Sequence, residues 1–186
     1  MTGSFMNKLS ILKIVEDTTV DGPGFRTTIY AAGCNHHCPG CHNPQSWDIE
    51  EGVYYTVTEI LDIVKRAEFS NVTFSGGDPL MQPEAFTELA RRIHYETRKT
   101  IWCYTGYQYE QILMSSKLSG ILPYIDVLVD GRYVESLRDE ALRFKGSANQ
   151  RIIDVTASLA TGKIVFWTNE YVKNNYLATL NLIHYE

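Results

Sequence analysis

Three of the chain's four cysteines fall within eight consecutive residues, spaced C-x3-C-x2-C at Cys34, Cys38 and Cys41. They sit in the run Gly33-Cys34-Asn35-His36-His37-Cys38-Pro39-Gly40-Cys41-His42-Asn43-Pro44, punctuated by glycine and proline. A helix or strand would point such thiols apart, whereas a curled loop can wrap them around one small object. Three thiolates suit iron-sulfur chemistry, where cysteine is the usual ligand. On a four-iron cluster they leave one iron without a protein ligand, open to a substrate. Structural zinc is the competing reading, since His36, His37 or His42 could complete a four-ligand set. A disulfide framework fits poorly, because one tight cluster lacks the spread of pairings found in secreted scaffolds.

The chain around this loop alternates between strand-like and helix-like runs. Residues 9–15 and 27–32 read as strands on either side of Val20-Asp21-Gly22-Pro23-Gly24-Phe25-Arg26, where Gly-Pro-Gly forces a tight turn. Thr56 and Glu59 have capping-box spacing and start a helix to about Ala67, with Ile60, Ile63, Val64 and Ala67 as its apolar stripe. Residues 71–75 read as a buried strand ending at Gly76-Gly77-Asp78-Pro79, and a second helix begins near Pro83 with Phe86, Leu89, Ala90 and Ile93 inward. Residues 100–104 and 125–129 are further strands, with a short helix over 109–114 between them. Residues 135–143 are expected to be helical and 144–151 turn-like, while 152–186 show no clear order. Such alternation implies a parallel sheet with right-handed crossovers and ligands at the strand ends. At 186 residues the chain falls short of the roughly 250 of a full eight-unit barrel, so an incomplete, TIM-like barrel of parallel strands with helices outside is expected.

The C-x3-C-x2-C loop after an apolar strand resembles that of the radical S-adenosylmethionine (SAM) superfamily. In that superfamily SAM chelates the open iron of a 4Fe-4S cluster, and an electron from the cluster splits it into methionine and a 5′-deoxyadenosyl radical. The resemblance makes Cys34, Cys38 and Cys41 the cluster ligands. Gly76-Gly77-Asp78 resembles the superfamily's Gly-Gly-Glu, whose backbone binds the SAM amino group, with Asp in place of Glu. Gly40 stands where an aromatic residue is common, so backbone around Gly40, Cys41 and His42 would provide the contact to adenine. The Gly-Pro-Gly segment, the Cys-Pro-Gly-Cys-His-Asn loop, Gly76-Gly77-Asp78-Pro79-Leu80, Asp130-Gly131 and residues 144–154 occur in the order seen in activating proteins of anaerobic (class III) ribonucleoside-triphosphate reductases. Membership of that group implies reductive SAM cleavage, a glycyl radical raised on the reductase as protein partner, and an electron donor such as a flavodoxin-type protein. An activase of pyruvate formate-lyase, or of another glycyl-radical enzyme, is the nearest alternative, and a non-catalytic zinc-binding adaptor is one of another class. Asp130 could hold a cation or a polar group of SAM, contact the partner, or simply shape a turn. The three histidines read as hydrogen-bonding groups around the cluster, with no catalytic side chain needed beyond cluster and SAM. Cys103, in a strand, reads as a small buried apolar residue.

A formal net charge of -5 offers no broad basic surface for nucleic acid. The first residues do not resemble a signal peptide, no apolar run is long enough to span a bilayer, and a reduced, cytoplasmic setting is expected. One domain over 1–186 is expected, with 1–8 flexible and 155–186 extending the same domain.

Overall fold

The computed structural model describes residues 8–168. The expected flexible start and most of the C-terminal extension, residues 1–7 and 169–186, lie outside the described residues. Eight strands form one sheet: β1 (Lys8–Thr18), β2 (Arg26–Ala31), β3 (Val53–Thr56), β4 (Asn71–Gly76), β5 (Ile101–Tyr104), β6 (Val127–Asp130), β7 (Arg151–Asp154) and β8 (Val165–Phe166). Their order across the sheet is β3-β1-β2-β4-β5-β6-β7-β8. The centre, β2-β4-β5-β6, is parallel, while β1, β3, β7 and β8 pair antiparallel at the two sides. The sheet is therefore mixed, and the expectation of parallel strands holds only for its middle. Local pairing explains the flanks: β1 meets β2 across one turn, and β7 returns beside β6 without a helix between them.

The helices are α1 (Val57–Arg66), α2 (Pro83–Glu96), α3 (Tyr109–Met114) and α4 (Val155–Thr161). α1 starts in the expected capping box, Glu59 N donating to Thr56 Oγ1 at 3.2 Å and Thr56 N to Glu59 Oε2 at 2.7 Å. Its buried face is Val57, Ile60, Leu61 and Val64, so Leu61 takes the place expected of Ile63, which sits half-buried at the edge. In α2, Pro83 occupies the first turn, where its missing N–H costs nothing, and Phe86, Leu89, Ala90 and Ile93 are buried as expected.

Strand alternation divides the sheet into two unlike faces. Ile29, Phe74, Ile101, Cys103 and Leu128 pack with Ile60, Phe86, Leu89 and Ile93 in the main core. Burying a residue such as Phe86 completely is worth about 1.5–3 kcal/mol, and this face carries most of the stability. Trp102, Val127 and Val129 point to the other face, in a smaller cluster with Tyr104, Phe144, Ile152 and Trp167. Phe74 packs edge-on against Phe86, Trp102 against Phe144 and Trp167.

The expected helix over residues 135–143 is not formed. A single 3-10 turn, Glu135–Leu137, gives way to irregular chain in which Arg138 bridges to Ser147. In that run only Leu137 and Leu142 are large and apolar, too few to bury a helical face, and Leu137 is exposed. Conversely, the unordered stretch after residue 151 contains β7, α4 and β8. Among the described residues no helix is long and apolar enough to cross a membrane.

Candidate active site at the strand ends

The cysteine loop leaves the end of β2 and is stapled at its base. Gly33 N donates to Ser46 O at 2.8 Å and Cys34 N to Trp47 O at 3.1 Å, closing residues 33–47 into a loop. The neighbouring strand end binds the same base: Gly77 N donates to Ala31 O at 2.8 Å and Asp78 N to Gly33 O at 2.9 Å. Both glycines of the pair are required sterically. Gly76 has φ +101, and a Cβ there would fall 2.6 Å from Ala31 N. A Cβ on Gly77 would meet the Ser46 carbonyl at 2.9 Å and crowd the Gly33 carbonyl as well. Two glycines thus let the β4 end lie directly against the cysteine loop.

Cys34, Cys38, Cys41, His42, Gly76 and Gly77 line one cavity of about 420 Å³ at the C-terminal ends of the parallel strands. Val20, Asp21, Tyr104, Thr105 and Phe144 face them across it. The structure brings together the three expected cysteines, His42 and the Gly76–Gly77 pair, while Gly40 is not among the residues lining this cavity. None of the three thiols is in a disulfide, and all are partly exposed. Burial pushes the Cys34 thiol up, and the backbone amides of His36 and His37 draw it back by donating to sulfur. Cys41 Sγ accepts from Asn43 N at 3.4 Å. Three sulfurs lining one cavity, none of them in a disulfide, fit an iron-sulfur cluster held by three ligands.

Asp78 is different in kind. Its carboxylate is fully buried and accepts from Leu80 N at 2.9 Å, Gly106 N at 3.0 Å, Thr105 Oγ1 at 2.8 Å and His36 Nε2 at 2.7 Å. All its hydrogen-bonding capacity is spent inside the protein, so its side chain ties the β4 and β5 ends to the cysteine loop. Asp130 is likewise occupied. Arg151 Nε donates to its Oδ1 at 2.9 Å, a second Arg151 nitrogen and Tyr109 N donate to Oδ2, and Arg151 also grips Glu110. Asp130 lies outside the sulfur-lined cavity, on an adjoining polar one of about 550 Å³.

The histidines separate by role. His36 is held between Asp78 and Arg132, His37 stands edge-on to Trp47 at φ +46, and His42 tilts against Tyr133 with ring centroids 5.0 Å apart. Both His36 nitrogens are engaged, which removes it from a zinc set. The side of Gly40 where a larger residue would carry its side chain is filled by Glu135: a Cβ would lie 2.6 Å from its carboxyl carbon. Cys103 is fully buried in the main core, and burial drives its thiol well above the ordinary range. Sequence reasoning missed the roles of Thr105, Arg132, Glu135 and Arg151. Thr105 and Arg132 follow strands directly, a positional signal; nothing in the sequence marks Glu135.

A family profile described as "4Fe-4S single cluster domain" matches residues 20–153, spanning the cysteine loop, the glycine pair and β2 to β7. The chain is thus a single-cluster 4Fe-4S protein. Curated relatives narrow the class. An anaerobic ribonucleoside-triphosphate reductase-activating protein of Haemophilus influenzae is 34% identical, over 77% of this chain and 97% of that one. One from Vibrio cholerae is 38% identical over 72% and 90%, and one from Enterobacteria phage T4 34% over 72% and 86%. The chain belongs to the family of anaerobic ribonucleoside-triphosphate reductase-activating proteins. Among solved structures, QueE from Escherichia coli is a distant likeness, with a TM-score of 0.42, 14% identity, and coverage of 53% of this chain and 52% of that one.

Proposed function

We propose that this chain is a radical SAM activase, an oxidoreductase that raises a glycyl radical on an anaerobic ribonucleoside-triphosphate reductase. The carrying observation is that Cys34, Cys38 and Cys41 share one cavity with the Gly76–Gly77 backbone. When bound together, a 4Fe-4S cluster with one open iron and SAM supply a one-electron cleavage that ends in removal of hydrogen from a backbone glycine of the partner.

The chain's own groups do the positioning. The three thiolates would hold the cluster, the Gly76 and Gly77 backbone would take the polar end of SAM, and the peptide groups around Cys41 and His42 would serve the adenine. With Glu135 against Gly40, residue 40 offers only backbone. Asp78 acts from behind through the strand ends, and Asp130 shapes the adjoining loop through Arg151. Catalysis here is largely a matter of holding reacting groups at contact distance and keeping water away from them.

The parallel centre with helices on one face supports reading the domain as an incomplete barrel. The reductase as target is carried over from the relatives, and a flavodoxin-type protein in the cytoplasm is the proposed electron source. The zinc-adaptor alternative is disfavoured by the match of residues 20–153 to a single-cluster 4Fe-4S family.

Anaerobic reconstitution with iron and sulfide, reduction in the presence of SAM, and chromatography for 5′-deoxyadenosine test the proposal. The expected product appears with the parent protein and disappears with Cys38→Ala. Uptake of zinc alone, with no cluster and no SAM cleavage under any reductant, overturns it. An electron paramagnetic resonance doublet on a class III reductase, and none on pyruvate formate-lyase, would separate the two partner readings.

A further inference from the structure

We propose that His36 is the positioning residue of the cysteine loop: its ring locks the segment between Cys34 and Cys38 to the ends of β4, β5 and β6. The proposal rests on the cluster reading above and assigns the loop's geometry to one side chain outside the ligand set.

Hydrogen bonding fixes the orientation of the ring. Arg132 Nε donates to His36 Nδ1 at 3.3 Å, and a guanidinium N–H can only donate. Nδ1 therefore faces a donor, and Nε2 faces the Asp78 carboxylate, donating to Oδ2 at 2.7 Å. Asp78 leads onward to both neighbouring strand ends through Leu80 N, Thr105 Oγ1 and Gly106 N. Arg132 follows β6 directly and is anchored there by its own carbonyl, which accepts from Asn149 Nδ2 at 2.8 Å.

Packing confines the ring as tightly as the hydrogen bonds do. The His36 side chain is 10% exposed and that of Asp78 1%. The Tyr107 ring stands edge-on to His36 at 4.7 Å. The ring also fills the space where a Cβ on Gly106 would lie, so Gly106 is needed to admit it. Four sequence motifs with no evident connection, the cysteine loop, Gly76-Gly77-Asp78, Thr105-Gly106-Tyr107 and Asp130-Gly131-Arg132, meet at this ring. It forms part of the wall between the sulfur-lined cavity and the polar cavity beside Asp130. Cys34 and Cys38 each lie two residues from it, so freeing the ring lets both sulfurs shift.

Groups that orient metal ligands typically contribute about 10–100-fold to metal retention when removed. The full chain, reconstituted anaerobically, is therefore compared as parent, His36→Ala, His36→Gln and Arg132→Ala for iron and sulfide content, release of iron to a chelator, cluster reduction potential and melting of the metal-free protein. His36→Ala is expected to melt as the parent does yet release iron about tenfold or more faster, with a shifted potential. Glutamine can donate to Asp78 and accept from Arg132, so His36→Gln is expected to recover most of the retention. His36→Ala with the parent's release rate and potential, or His36→Gln no better than alanine, overturns the assignment. Should His36→Ala fail to fold, Arg132→Ala decides, because it alters only an exposed side chain: faster release supports the assignment and unchanged release refutes it. A parent that takes up neither iron nor sulfide brings down the cluster reading and this assignment together. A parent that keeps its cluster beside an equally retentive His36→Ala brings down the assignment alone.

Discussion

The carboxylate of Glu135 lies against the bare face of Gly40, two residues from Cys38 and one from Cys41, in the volume a Cβ would claim. Gly40 also has φ +71, a conformation that costs an L-residue about 1–2 kcal/mol. Gly40→Ala is therefore expected to lower stability by about that amount and to push Glu135 off the loop. Glu135→Ala in the same chain relieves only the steric part, because the backbone penalty remains. Urea unfolding of the metal-free single and double variants checks this; full recovery in the double variant would show that φ contributes nothing.

Gly77 is held by close approach to backbone, with ordinary torsions for any residue. A Cβ there would have to displace the Ser46 and Gly33 carbonyls, and those carbonyls hold the base of the cysteine loop. Backbone cannot rotate aside as a side chain can. Gly77→Ala is expected to weaken SAM binding by about tenfold or more, as a disturbed supporting shell does for metal sites, and to lower the melting temperature as well. Equilibrium dialysis with labelled SAM on the reconstituted protein measures it, and parent-like binding would mean the strand end and the loop can separate at no cost.

The parts legible in the sequence are those written in local chemistry. Thr56 and Glu59 announce α1, Pro83 announces α2, and Gly76-Gly77 marks a close approach whose other side, the Ser46 and Gly33 carbonyls, only the fold reveals. The cysteine spacing picks out the proposed ligands without any tertiary information. What stayed hidden depends on partners distant in sequence. β7 and β8 are four and two residues long, and only pairing, of β7 to β6 and of β8 to β7, makes them strands. Asp78 and Asp130 read naturally as ligand contacts because acidic residues at strand ends often are. Their burial against Thr105, His36 and Arg151 comes from residues 27, 42 and 21 positions away. Residues 135–143 have the composition of a helix but no apolar stripe to bury; of them Glu135 sits against Gly40 and Leu142 lines the sulfur-lined cavity.

Glu96 gives the fold a defined acid response. It joins α1 to α2 by accepting from Arg92 Nε and Lys65 Nζ, both at 2.7 Å, and these bonds, Arg92's foremost, hold its carboxyl down to about 2 from an ordinary 4.5. The unfolded chain binds the proton first, so the contribution is complete above pH 4.5 and fades as pH falls toward about 2. Glu96→Gln is expected to melt earlier than the parent at neutral pH and to converge with it in acid. Melting temperatures across that range test the sign, and a gap that widens in acid would refute it.

Arg26 carries the most exacting electrostatic arrangement in the chain. Its guanidinium is 1% exposed and has no salt-bridge partner among the described residues; it donates to Thr73 Oγ1 at 2.6 Å, to the Val72 carbonyl and, at 3.3 and 3.4 Å, to Pro23 O and Thr100 O, with the Trp102 ring 5.5 Å away. Burial is the main reason its pKa falls to about 10. The fork also packs against Gly22, where a Cβ would sit 2.7 Å from Arg26 Cδ, so Gly-Pro-Gly and Arg26 are shaped to one another. Lysine keeps the charge but concentrates it at one nitrogen on a flexible stem, and cannot span a hydroxyl and three carbonyls. Each charged hydrogen bond lost is worth about 1.5–3 kcal/mol, so Arg26→Lys, losing at least one, should cost about 2–4 kcal/mol in urea unfolding with an unchanged slope. Because Val20 and Asp21, just ahead of this turn, line the cavity opposite the cysteines, SAM cleavage should fall with stability while iron and sulfide content holds. A lysine variant as stable as the parent would mean that the turn is held by its own backbone, and that Arg26 is buried for packing on Trp102 alone.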